Sequence, residues 1–273
     1  MFKTIIAFCF VSLLYTSAFC QGDTTQAFQL LKNGIEKQYT RDYEGAVKDF
    51  NLAVLSNPRY DKIYIYRGLA RYHLNDLQGA IDDYTRFIAA NPESAYAYDN
   101  RGYAKFMMRD NQGAMADYNK SLSIDPNSVQ TYINRGILKN RLHQAKQALS
   151  DFDMALGLNP GNPEILFNIG ISKNVLADYG GAIEAFNKTI IMQPDFELAF
   201  LYRGTAKSIL KNYKGAMEDI DECLTINPNN SEAYLNRGLL KIDMNDKTAC
   251  DDLQKALSLG NQRAAEVMRD NCK

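Results

Sequence analysis

Arginine and aspartate recur along this chain at a fixed separation. Arg67 and Asp83, Arg101 and Asp117, Arg135 and Asp151, and Arg203 and Asp219 are each 16 residues apart, and Arg237 and Asp252 are 15 apart. A guanidinium and a carboxylate held at constant spacing can form an ion pair, and a partly buried pair acts on stability because losing one partner strands the other. Where the arginine gives way to Ile169, the aspartate's place is taken by Ala185, so both are lost together. That joint loss favours pairing within each segment and gives Arg101, Asp117, Arg135 and Asp151 structural roles. Amides recur as well: Asn100, Asn134, Asn168 and Asn236 share one phase, interrupted by Tyr202. A side-chain amide donates and accepts at once.

The other reactive residue types do not assemble into a site. His73 and His143 are the only histidines, and neither lies in a ligand-spaced group with cysteines or carboxylates, so metal catalysis is not expected. Asp82–Asp83 and Asp251–Asp252 resemble the paired acids of general acid–base chemistry, but one member of each is an arginine's partner and the other reads as solvated surface. No glycine-rich phosphate loop or nucleophile motif is present. The chain is expected to be no enzyme and to need no cofactor or metal. Asn119, Asn187 and Asn229 stand in glycosylation sequons, which matter only in a eukaryotic secretory route.

The elements that carry these residues are legible in the spacing. At 46% apolar and 23% charged the 273 residues fit a globular chain rather than a disordered one. The net charge of −1, with no long run of one sign, argues against nucleic acid as a partner. Pro58, Pro92, Pro126, Pro160, Pro194 and Pro228 follow one another at intervals of 34 residues. The same period carries glycine from Gly34 to Gly238 and alanine from Ala46 to Ala216. With Ala27, Asp61, Ala95, Val129, Pro163, Glu197 and Ser231 as first positions, position 4 is always large and apolar, and glycine follows one helical turn later at position 8. Position 24 supplies Phe50, Tyr84, Tyr118, Phe152, Phe186 and Ile220, so a large side chain can enter the gap left by the missing one. The residue before each periodic proline disfavours helix and should end the second helix of a unit. Ser94, Ser128 and Asn162 can cap first helices, and Asp42, Asp76, Asp110, Asp178 and Asp246, at position 16, can cap second helices.

A 34-residue unit with these markers resembles the tetratricopeptide repeat, a helix–turn–helix module. The resemblance covers seven units over residues 27–260. It implies an all-α, right-handed α-solenoid of seven helix pairs whose first helices line a concave groove for a protein or peptide partner. Family groove positions carry over to Asn100, Asn134, Asn168 and Asn236, and to Ile65, Leu69, Tyr72, Tyr96, Tyr103 and Phe106. The amides resemble a peptide-holding ladder, although asparagine is also common there as repeat background. The rings form either an exposed interface or packing between neighbouring first helices. A protein-interaction scaffold is the favoured function. A glycan- or other soluble-ligand-binding accessory protein is the alternative, with rings stacking on sugars.

Both ends add to this reading. Lys3 and the apolar stretch Ile5–Tyr15 form a secretory signal core too short to span a bilayer, and cleavage after Cys20 would leave Gln21 first. The expected order is a signal peptide at 1–20, a leader at 21–26, the repeats, and a capping helix over 261–273. Export to a periplasm or to the outside is thus expected, with lipid anchoring at Cys20 disfavoured by Phe19. After a turn at Leu259–Gly260–Asn261, Ala265, Met268 and Cys272 share one face of a segment resembling a solenoid's sealing helix. Counted from Gly260 along antiparallel helices, Cys250 and Cys272 differ in height by about 3 Å, which permits a disulfide. The alternative is two unrelated thiols. Cys223 is expected to stay free in a small, packed site. The oligomeric state is open.

Overall fold

The computed structural model describes residues 24–272. The expected signal segment and cleavage site therefore lie outside the described residues. Among the described residues the chain is all helix, with fifteen helices and no strand. Helix α1 covers 24–39. It is followed by α2 (Tyr43–Ser56), α3 (Lys62–His73), α4 (Leu77–Ala90), α5 (Ala95–Met107), α6 (Asn111–Ile124), α7 (Val129–Arg141) and α8 (Ala145–Leu158). The remainder are α9 (Pro163–Val175), α10 (Tyr179–Met192), α11 (Glu197–Ile209), α12 (Tyr213–Ile226), α13 (Ser231–Asp243), α14 (Ala249–Ser258) and α15 (Gln262–Asn271). The chain forms two compact units, one ending at Thr131 and the other beginning at Tyr132. Within each unit, helix pairs stack as in an α-solenoid.

Residue chemistry sets each helix boundary. The second helices α2, α4, α6, α8, α10 and α12 end at the residue two places before a periodic proline, and the residue between has left helical geometry. Asp42, Asp76, Asp110 and Asp178 cap second helices by accepting from the backbone N–H of the glycine three residues on. A Cβ on that glycine would collide with the capping carboxylate, so aspartate and glycine are needed together. The fourth pair has Gln144 and Gln147 at these places, and α8 has no side-chain cap. Asp246 departs from the expectation. It accepts from the N–H and Oγ1–H of Thr248, and α14 starts only at Ala249, because this unit is one residue short and its turn closes before the helix begins. Residues 24–26, expected as leader, are part of α1, since no proline or cap interrupts the approach to buried Ala27 and Leu31.

Every turn between paired helices places a non-glycine residue in the left-handed region. Arg41, Asn75, Arg109, His143, Ala177, Lys211 and Asn245 have φ from 56° at Asn245 to 64° at Arg109. This closes each first helix in the left-handed C-terminal manner: Ala177 N–H donates to the Asn174 carbonyl and Asp178 N–H to that of Lys173.

Packing within a pair is ring against glycine. A Cβ built on Gly136 would lie 2.6 Å from Phe152 Cε1, so alanine there would force the ring out of its seat. Phe50, Tyr84, Tyr118, Phe152 and Phe186, the large residues of position 24, are 0–1% exposed. The last helix docks by Ala264, Val267, Met268 and Cys272 on a cluster containing Tyr234, Leu235, Leu253 and Leu257. Ala264 rather than the expected Ala265 is the fully buried alanine. The helix starts at Gln262, after Gly260 at φ 93°, and this sets its contact face one residue earlier.

The arginine–aspartate pairs close inside each helix pair. Arg101 Nε and Nη2 donate to Asp117 at 2.9 and 2.7 Å, and Arg135 does so to Asp151 at 3.0 and 2.6 Å. The same geometry joins Arg67 to Asp83, Arg203 to Asp219 and Arg237 to Asp252. Each carboxylate also meets a second cation, from position 11: Arg71, Lys105, Lys139, Lys207 or Lys241, at 2.7–2.8 Å. In the fifth pair, where the aspartate is replaced by Ala185, the equivalent Lys173 turns to the capping Asp178 at 3.8 Å. Arg101 also lies over the Tyr98 ring, 5.4 Å from its centroid. The hydrogen bonds to Asp117 push the Arg101 guanidinium further up, outweighing the opposing effect of its own burial.

Candidate binding surface

The ring–glycine and ion-pair contacts lie between the helices of each pair, and the opposite faces of the first helices point away from them. In the first unit these faces belong to α1, α3 and α5. Tyr72 and Tyr103, on α3 and α5, meet edge to face with centroids 5.6 Å apart, and Phe106 lies 6.1 Å from Tyr103. All three are half-buried. These rings therefore pack between neighbouring first helices, the second of the two arrangements the sequence allows. Burial, with a hydrogen bond involving Tyr103, pushes the Tyr72 phenol up to about 12. Tyr96 differs, with 59% of its surface exposed. Its carbonyl accepts from Asn100 Nδ2 at 2.8 Å, which places ring and amide on adjacent turns of α5. A recess of about 220 Å³ opens elsewhere in the first unit, lined by Ile35, Gln38, Tyr39, Tyr43, Tyr66, Leu69 and His73. Its His73 ring stacks on Tyr43 at 4.4 Å.

In the second unit the amides do not act alike. Asn168 Nδ2 donates back one turn to the Glu164 carbonyl. Asn236 Nδ2 reaches the Thr205 hydroxyl of the preceding first helix at 3.4 Å. Asn134 is buried, with 7% exposure, so it cannot offer its amide to a ligand as the ladder reading requires. Asn236 lines a recess of about 310 Å³ with Thr205, Ser208, Ile209, Leu239, Ile242, Asp243 and Asn271. The wall bearing Asn271 belongs to α15, whose Cys272 is joined to Cys250 of α14, with Cα atoms 5.8 Å apart. Cys223 is free and fully buried, and burial, helped by Glu197, pushes its thiol up to about 12.

Residues 31–95, 95–128 and 203–230 match family models described as tetratricopeptide repeat. These segments are tetratricopeptide repeats. Similar solved structures include a tetratricopeptide repeat protein from Parabacteroides merdae, 21% identical, covering 91% of this chain and 100% of that one at a TM-score of 0.76. YrrB, described as having an unusual peptide-binding site, is 22% identical over 67% of this chain and 95% of its own, at 0.54. The structure of pilF from Pseudomonas aeruginosa is 14% identical over 78% and 96%, at 0.66. At these identities the likeness shows the fold. A comparison with curated protein sequences finds no match. Tetratricopeptide repeats generally mediate protein–protein interactions. Among the described residues no group of three metal-ligating side chains occurs, and no helix is long and apolar enough to cross a membrane.

The position-11 cations and both recesses escaped the sequence reading. The cations had a signal, because Arg71, Lys105, Lys139, Lys173, Lys207 and Lys241 keep the 34-residue phase. The recesses had none, because each depends on the gap between helices from different repeats.

Proposed function

We propose that this chain is an exported, non-enzymatic scaffold whose tetratricopeptide repeats bind partner polypeptide on the first-helix faces. The observation that carries the reading is the first unit's surface, which bears the exposed Tyr96 ring and the Asn100 amide on α5 and an open, mainly apolar recess lined from residues 35–73. An apolar recess takes a side chain, and an amide on the same unit can hold an extended backbone. The peptide-binding site described for YrrB supports the same use of the fold. The seven-unit division and export after Cys20 belong to this proposal, and a mature chain starting at Gln21 is its expected mass-spectrometric signature.

In-cell crosslinking and mass spectrometry of wild type and a Tyr96→Ala/Asn100→Ala variant test the binding. Loss of the crosslinked partner with an unchanged melting temperature is the expected result. Full retention of that partner would refute this surface. Glycan-array binding with no crosslinked protein would replace the polypeptide with a sugar ligand.

A further inference from the structure

The recess closed by α15 has a definite electrostatic character. Its lining includes the last residues of α11, α13 and α15, Ile209, Asp243 and Asn271, together with Asn236 from the middle of α13 and Ile220 from α12. The C-terminal end of a helix carries partial negative charge. Asp243 adds a full carboxylate to the lining and has no ion-pair partner among the described residues. The lysines of the same turns are drawn away: Lys207 to Asp219 and Lys241 to Asp252, each at 2.8 Å. Arg269 of α15 is not part of the lining. Three of the polar side chains donate within the protein, Asn271 Nδ2 to the Val267 carbonyl, Asn236 Nδ2 to Thr205 and the Thr205 hydroxyl to the Leu201 carbonyl. The oxygens of the Asn236 and Asn271 amides can act as acceptors. Ile209, Leu239 and Ile242 supply apolar wall.

We infer that this recess receives a basic side chain of the bound polypeptide, an ammonium or guanidinium on an apolar stem. Such a group has only donors to offer, matching acceptors and negative charge at the rim, while its methylenes cover the isoleucines and leucine. The inference rests on the polypeptide-binding reading and names what the second unit, taken by itself, selects.

The full-length, ¹⁵N-labelled mature protein is titrated with acetyl-Leu-Lys-Leu-amide and with acetyl-Leu-norleucine-Leu-amide, its uncharged counterpart. The lysine peptide should shift the backbone amides of Ile209, Asp243 and Asn271 and bind about fivefold tighter than the norleucine peptide, a preference that shrinks at high salt. Asp243→Asn should remove the preference while leaving the spectrum otherwise folded. Equal binding of the two peptides, no shift at these amides, or a preference that survives Asp243→Asn each overturns the inference. Retention of the crosslinked partner by Asp243→Asn in the same experiments would leave the surface reading standing on its own.

Discussion

Replacing Asp117 with alanine removes one carboxylate and strands two cations. Its oxygens accept from Arg101 Nε and Nη2 at 2.9 and 2.7 Å and from Lys105 Nζ at 2.7 Å, and the Asp117 side chain is 5% exposed. Breaking a fully buried pair from one side costs about 3–5 kcal/mol. Arg101 and Lys105 keep 15% and 19% of their side chains exposed, so water reaches them in part, and the expected loss is about 2–4 kcal/mol. The chain itself supplies the control, because the fifth pair has Ile169 and Ala185 at the same places, 8% and 6% exposed. An Arg101→Ile/Asp117→Ala double variant copies that solution. Lys105 would then stand to Asp110 as Lys173 stands to Asp178, and the double variant should lie within about 1 kcal/mol of wild type. Urea unfolding of the three proteins, followed by circular dichroism, measures both differences. Equal losses in the single and double variants would show that the two side chains do not interact and would refute the reasoning.

Alkaline titration checks the packed phenols. With its pKa raised from 10.0 to about 12, Tyr72 contributes stability that is intact below pH 10 and is lost as pH rises through about 12. Tyr84 and Tyr118 are pushed upward as well, chiefly by burial, so the tyrosinate absorbance of these packed rings should appear in a phase that coincides with unfolding. A single phase near 10 with the fold intact would be the contrary result. Peptide mapping of unreduced, folded protein should leave Cys223 unalkylated and find Cys250 linked to Cys272, and reduction should cost about 3 kcal/mol for a loop of this size. Alkylation of both Cys250 and Cys272 before reduction would contradict it.

The sequence by itself determined the helix pairs. Proline, glycine and alanine in phase every 34 residues fix where helices stop and where they approach, because these effects act within a few residues or within one helix pair. The simultaneous replacement of the recurrent arginine by Ile169 and of the recurrent aspartate by Ala185 even indicated which side chains pair. What the sequence left open was decided by distances between repeats. Tyr72 and Tyr103 occupy groove positions, yet whether they face solvent or each other depends on the separation of α3 and α5, and at 5.6 Å they pack. Asn134 and Asn236 share a repeat position, but one is buried and the other lines a recess. Position within a repeat specifies direction from a helix axis, whereas exposure depends on the side chains the neighbouring repeat places opposite, and those differ from unit to unit. The recess against α15 is the clearest case, since Asn236, Asp243 and Asn271 come together there only after α15 has docked.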